Sequence, residues 1–291
     1  MADNVTLSSA LRSNLLSLQK TGDLVNRTNS RLSTGLKVAS AIDDAVAYFQ
    51  AKGLSDRASD LTVRKDGIDQ GISTVKSAIT GLEAIEKTLV QMKGVALSAK
   101  AATNTERADL TKQFNTLALQ LNNLANDASY QGLNLINSTA AKLKVEFSDK
   151  SAAVLTINGV NAQIGTLPGT SALGGTSAAS NVASVLAGAA WNTVSAAVSK
   201  FDAVIKSLDS AVISVRSSTK TLGTNVALLQ TRLDFTKQYV NNLKEGSDKL
   251  TLADLNEEGA NLVSLQTRQQ LGIQALSFAG QQEQGVLALF R

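Results

Sequence analysis

Apolar residues recur in steps of four and three along most of the chain. From Val194 the steps land on Val198, Phe201, Ile205, Leu208, Val212, Val215, Thr219, Leu222, Val226, Leu229, Leu233, Thr236, Val240 and Leu243. Only the two Thr are polar, and no Pro interrupts the run. Such a repeat predicts one continuous helix whose seam faces partners in a coiled-coil-like bundle. About fifty residues of helix span ~75 Å, whereas a compact globule of this length would be about 50 Å across. The chain is therefore expected to be elongated.

The first half supplies partners for that helix. Leu61, Ile68, Ile72, Val75, Ile79, Leu82, Leu89, Met92 and Ala96 keep the rhythm, with Ile85 one position off. Thr103-Asn104-Thr105-Glu106 fits a capping box at the start of a new helix. Leu110, Phe114, Leu117, Leu121, Leu124 and Ala128 line one face of that helix, which is expected to stop near Gly132. Three helices of unequal length can share one apolar seam. At the start of the chain Leu11, Leu15, Leu18, Gly22, Val25, Asn29 and Leu32 follow the same steps. At its end Leu255, Gly259, Leu262, Gln266, Gln269, Ile273, Leu276, Gly280, Glu283, Leu287 and Phe290 do so. From Leu262 to Arg291 the only charges are Arg268, Glu283 and Arg291. Helices with so few charges, interrupting Gly and half-polar seams are marginal alone. Their natural partners are each other and neighbouring copies.

The middle departs from this pattern. Leu143–Phe147 and Val154–Asn158 alternate or run β-branched around Ser148-Asp149-Lys150-Ser151, which predicts a β-hairpin. From Ser151 to Ser199 there is no charged residue; Ala, Ser, Thr, Gly and Asn dominate, and the sole Pro is Pro168. That composition predicts a loop or a small lobe without a large core. The fold class is mainly α: a helical bundle with a small hairpin and paired terminal helices.

Composition narrows the chemistry. The chain of 291 residues has no Cys and no His. A zinc finger, a Cys–His or Ser–His–Asp nucleophile and a disulfide framework are all excluded. No EF-hand spacing is present either, so no metal, cofactor or catalytic residue is expected and the protein is read as a non-enzyme. The net charge of +4 is mild, and aromatic residues make up only 4%; a basic, stacking surface for nucleic acid is not expected. No apolar run is long enough to span a membrane. Met1-Ala2-Asp3-Asn4 lacks the features of a cleaved secretory signal.

The segment Arg31-Leu32-Ser33-Thr34-Gly35-Leu36-Lys37-Val38-Ala39-Ser40-Ala41-Ile42-Asp43-Asp44-Ala45 resembles the N-terminal signature of bacterial flagellins. Gln131-Gly132-Leu133-Asn134-Leu135-Ile136, the run Gln269–Leu276 and the ending Val286–Arg291 are also similar to that family. The resemblance covers about residues 1–160 and 190–291. It implies an inner-core helix pair from residues 1–42 and 248–291. Residues 43–160 and 190–247 would form a bundle with the hairpin, and 161–189 a short surface insertion in place of large outer domains. It further implies a structural subunit that polymerises with copies of itself into an extracellular filament for swimming. The implied partners are a flagellar export apparatus, an export chaperone, a filament cap and hook-junction proteins. Leu11, Leu15, Leu18, Val25, Leu32, Leu255, Leu262, Ile273, Leu276, Leu287 and Phe290 would then form the terminal, inter-subunit seam. Arg31, Gly35, Asp43 and Asp44 would form the inter-domain connection. There Gly35 permits the positive φ that ends a helix, Asp43 or Asp44 caps the next one, and Arg31 pairs with one of these carboxylates. Thr166, Thr170, Ser171, Thr176, Ser177, Ser180 and Ser184 are the hydroxyls such a resemblance offers for O-glycosylation. The alternatives are a hook–filament junction protein, which shares the terminal helices, and a helical-hairpin signalling coiled coil. The second would have a central tip and no β segment.

Overall fold

The computed structural model describes residues 9–148, 153–164, 166–167 and 194–289. Five helices and four short strands occur among them: α1 (Ser9–Thr34), α2 (Ala45–Ala101), α3 (Asn104–Asp127), β1 (Ser129–Tyr130), β2 (Leu133–Asn134), β3 (Lys142–Glu146), β4 (Val154–Asn158), α4 (Val194–Thr251) and α5 (Leu255–Leu289). The chain divides into two compact units, Met1–Ala58 with Asn241–Arg291, and Ser59–Val240. The division falls inside α2 and α4, which run through it as unbroken helices. The turn after α1 and the linker before α5 thus belong with the first turns of α2 and the last turns of α4.

The core of the Ser59–Val240 unit is built from three helices. Leu208, Val215, Leu222 and Leu229 on α4 are buried with Phe114, Leu121 and Ala125 on α3 and with Ile68, Leu82, Leu89 and Met92 on α2. Ion pairs Glu86–Arg216, Lys93–Asp209 and Lys100–Asp202 descend along α4 as they ascend along α2, so the two helices run antiparallel. The polar members of the α4 repeat are satisfied locally: Thr219 and Thr236 donate their hydroxyls to the carbonyls of Val215 and Arg232.

Two details of the sequence pattern are corrected. Ile85 is fully buried and in register, because the seam of α2 passes through Ala78 rather than the half-buried Ile79. Hydrophobicity alone favours the larger neighbour, although Ala78 is the residue that is buried. Helix α3 ends at Asp127, short of Gly132. Gln131 (φ 50°) and Gly132 (φ 82°) instead turn a tight hairpin that pairs Tyr130 with Leu133. Asn134 closes the helix end by donating to the carbonyls of Ala125 and Asn126, while its own oxygen accepts from Ile136 and Asn137 N–H.

The expected capping box is present. Glu106 accepts from the Thr103 amide and hydroxyl at 2.9 Å each, and these bonds hold its carboxyl below the usual carboxylate range. The next residue, Arg107, is buried beneath the end of α2, donating from Nε to Ala99 O, and its guanidinium lies over the Phe201 ring. The hairpin at β3 and β4 pairs Leu143 with Ile157 and Val145 with Leu155. Its alternation puts Val145 and Ile157 into the core.

Candidate functional site

The sequence offered no catalytic constellation, so the site is sought where the fold leaves chemistry unfinished: the Met1–Ala58 and Asn241–Arg291 unit. Here α1 and α5 pack against each other. Leu11 is buried in that pair, and Leu18, Val25, Leu32, Leu262 and Leu276 are half-buried. A Cβ added to Gly272 would lie 2.7 Å from Leu18 Cδ1, so the helices approach closely where α5 has no side chain. Leu15, Leu255 and Ile273 lie off this contact and are exposed. The Leu287 side chain and Phe290 fall outside the described residues. So do Thr170, Ser171, Thr176, Ser177, Ser180 and Ser184. Thr166 is described: it is exposed, and its hydroxyl donates to Gln163 O at 2.7 Å.

The connection at 31–44 is a built structure. Gly35 ends α1 with φ 70°, its N–H donating to Arg31 O at 2.8 Å. Asp43 Oδ2 accepts from Ala39 N–H, Ser40 N–H and the Ser40 hydroxyl. Ser40 is the main reason that this carboxyl sits below the usual carboxylate range, first through its hydroxyl and then its amide; the Ala39 amide and the Arg31 charge add to it. Asp44 caps α2 by accepting from Ala47 N–H at 3.0 Å. Asp43 and Asp44 therefore divide the work, one tying the turn and the other starting the helix.

Arg31 pairs with neither aspartate. Its Nη1 lies 2.8 Å from Glu258 Oε1 on α5, which corrects the pairing expected from sequence nearness. Glu258 is buried in the first turn of α5 and Arg31 stands in the last turn of α1. Each charge therefore also complements its helix dipole. Beside this pair the two linkers clasp: Lys37 N–H donates to Thr251 O at 2.7 Å, Ala253 N–H donates to Gly35 O at 3.0 Å, and Leu36 faces Leu252 in an antiparallel bridge. Asp254 caps α5 through the Asn256 amide. Glu258, Asp254 and the clasp were missed by reading the sequence. The Asp254-x-x-Glu257 spacing before an apolar run was the available signal for the cap; nothing local signals the clasp.

Pairing leaves much of both helices apolar and bare. Leu16 and Leu24 on α1, and Val263, Leu271 and Phe278 on α5, are exposed together with Leu15 and Ile273. That is far more apolar surface than scattered single residues on a self-sufficient helix pair.

Residues 5–141 match the family model of the bacterial flagellin N-terminal helical region, and residues 180–290 that of the C-terminal helical region. Flagellin FljM of Caulobacter vibrioides is 32% identical over 280 residues, covering 95% of this chain and 94% of the relative. Flagellin FljO of the same organism is 33% identical over 284 residues with the same coverage. A flagellin of Brucella melitensis is 27% identical with both chains covered in full. With both helical regions matched in order and relatives aligned nearly end to end, the chain belongs to the bacterial flagellins, the structural subunits of the filament used for swimming motility.

Proposed function

We propose that this flagellin joins its extracellular filament chiefly through the α1–α5 pair. Residues 1–42 and 248–291 form the inner layer, residues 43–160 and 190–247 the next, and 161–189 a short outward insertion. The observation that carries this reading is the exposed apolar surface on the pair. A heterologous contact whose rotation does not close builds an open helix, and only neighbouring copies would cover Val263, Leu271, Ile273 and Phe278 in an identical way on every subunit. Arg31–Glu258 and the linker clasp hold the two helices in one register, so that each copy presents the same surface. Before assembly the same surface would need covering, which is the physical reason to include an export chaperone among the partners. The export apparatus, filament cap and hook-junction proteins complete the set.

The test is seeded growth of purified chain, followed by sedimentation and negative-stain microscopy. Val263→Asp with Phe278→Asp is expected to abolish growth from wild-type seeds while leaving the thermal unfolding of the monomer unchanged. Normal growth of that variant would refute the assignment of the terminal pair as the assembly surface.

A further inference from the structure

The turn leading into α2 carries exposed apolar side chains that nothing among the described residues covers. Ile42 is 97% exposed, Val46 68% and Phe49 64%. Val46 and Phe49 stand at i and i+3 on one face of the first turns of α2, and Ile42 stands in the turn just before it. The backbone beneath them is fixed by the hydrogen bonds to Asp43 and by the Asp44 cap. Phe49 is further held edge-on to Tyr48, with ring centroids 5.5 Å apart. A nearly fully exposed Ile on an ordered, tied turn gains nothing for its own fold.

The same unit also holds a matching concavity. An open pocket of about 180 Å³ is lined by residues that include Leu36, Val38, Ala39, Tyr48, Ala51 and Ser55. Val38 and Ala51 are buried within its wall. An apolar cavity of ~150 Å³ accepts a benzene ring, so a branched aliphatic side chain fits here. The Lys52 ammonium is paired with Asp56 at 3.1 Å, and the Asp43 and Asp44 carboxylates beside Ile42 are taken up by the turn and the cap, so the contact is apolar rather than ionic. Ridge and pocket therefore match in size and in apolarity.

We propose that Ile42, backed by Val46 and Phe49, seats in this pocket of a neighbouring subunit. The occupant is a second copy of the chain, because flagellins polymerise and because both halves of the contact stand unpartnered among the described residues. A knob and a pocket on different patches make a head-to-tail contact, which propagates rather than closing into a dimer. The inference rests on self-assembly as read above, and adds a contact outside the α1–α5 pair.

The experiment measures critical concentration by sedimentation after seeding with wild-type filaments, and monomer thermal unfolding by circular dichroism. Ile42→Ser removes the knob and Ser55→Leu fills the pocket; both positions are exposed, so the monomer unfolds as the wild type does. Each variant is expected to raise the critical concentration at least tenfold, and the double variant no more than the worse single one. Growth of Ile42→Ser at the wild-type concentration overturns the proposal, as do effects that multiply in the double variant. Because the chain has no Cys, Ile42→Cys with Ser55→Cys gives a clean second readout. Oxidised filaments should yield a ladder of covalent multimers, whereas a crosslink within single chains overturns the contact. Failure of this inference is separable from failure of the terminal-pair reading. If Val263→Asp with Phe278→Asp blocks growth and Ile42→Ser does not, only the ridge contact is lost.

Discussion

Arg31 Nη1 and Glu258 Oε1, 227 residues apart in sequence, meet at 2.8 Å and join the last turn of α1 to the first turn of α5. The Glu258 side chain is 10% exposed and that of Arg31 23%. This is a partly buried pair, in which removing one partner strands the other. With Arg31 still reached by solvent, the coupling should be about 1–2 kcal/mol, below that of a fully buried pair. Arg31→Ala and Glu258→Gln are each expected to speed hydrogen exchange at the Lys37 and Ala253 amides, which donate across the clasp. The double variant should be little worse than either single one. Exchange of amides in the Ser59–Val240 core should not change; acceleration there would mean that the pair serves the whole chain.

Gly35 and Gly223 should respond to the same substitution with opposite signs. At Gly35 an added Cβ meets no atom within 4 Å, but φ is 70°. Ala there costs ~1–2 kcal/mol from backbone conformation alone, and Asn, which tolerates the left-handed region, costs less. At Gly223 an added Cβ is also unopposed, and the residue lies within helix α4. Ala there should stabilise by about 0.5–1 kcal/mol. Exchange at the clasp reads the first substitution, and thermal unfolding reads the second.

The capping box at α3 gives a pH dependence with a definite sign. The Glu106 carboxyl is held below its ordinary value by hydrogen bonds from Thr103. Its contribution is therefore fully present above the ordinary Glu range near ~4.3 and is lost as pH falls through the lower folded value. Glu106→Ala should lower the melting temperature at neutral pH. The gap from wild type should close progressively below about pH 4. A gap that stays constant to pH 2 would show that the carboxylate is not the stabilising species.

How much of this was legible in the residues depended on the range of the interaction. The α4 seam was legible because large apolar side chains recur from Phe201 to Leu243 with only Thr219 and Thr236 between them, and the α3 cap because Thr103 and Glu106 signal each other over three residues. Gly35 was legible for the same reason, and the cap of α2 was narrowed to Asp43 or Asp44. Ala78 was overlooked as a core position because its small side chain carries little hydrophobic signal. The β1–β2 hairpin was overlooked because a left-handed Gln131 is an uncommon way to begin such a turn. Arg31 was assigned to the nearest acids in sequence, and its partner lay at the far end of the chain. Burial within the pair was also partly misleading. Periodicity places Leu255 and Ile273 on the same seam as Leu262 and Leu276, but only the latter two are half-buried against α1.

That difference makes Leu276 a sharper probe than its neighbours. It is half-buried in the α1–α5 unit, whereas Leu229 is fully buried in the separate core of the Ser59–Val240 unit. Burying a whole Leu contributes ~1.5–3 kcal/mol, and a carboxylate in its place adds a desolvation penalty of ~1–3 kcal/mol or more. Leu229→Asp should therefore lower the melting temperature of the monomer severely or prevent folding. Leu276→Asp should leave the main unfolding transition in place, because the core of the other unit does not use Leu276. Its effect should appear in assembly, where every subunit repeats the defect. A loss of about 1.4 kcal/mol per added subunit raises the critical concentration tenfold, so growth from seeds should fail at concentrations that suffice for the wild type. Leu18→Asp, facing Gly272 across the pair, should behave as Leu276→Asp does. If either variant melts the monomer as Leu229→Asp does, the two units do not fold independently. If either grows filaments at the wild-type concentration, the α1–α5 contact is not what assembly requires.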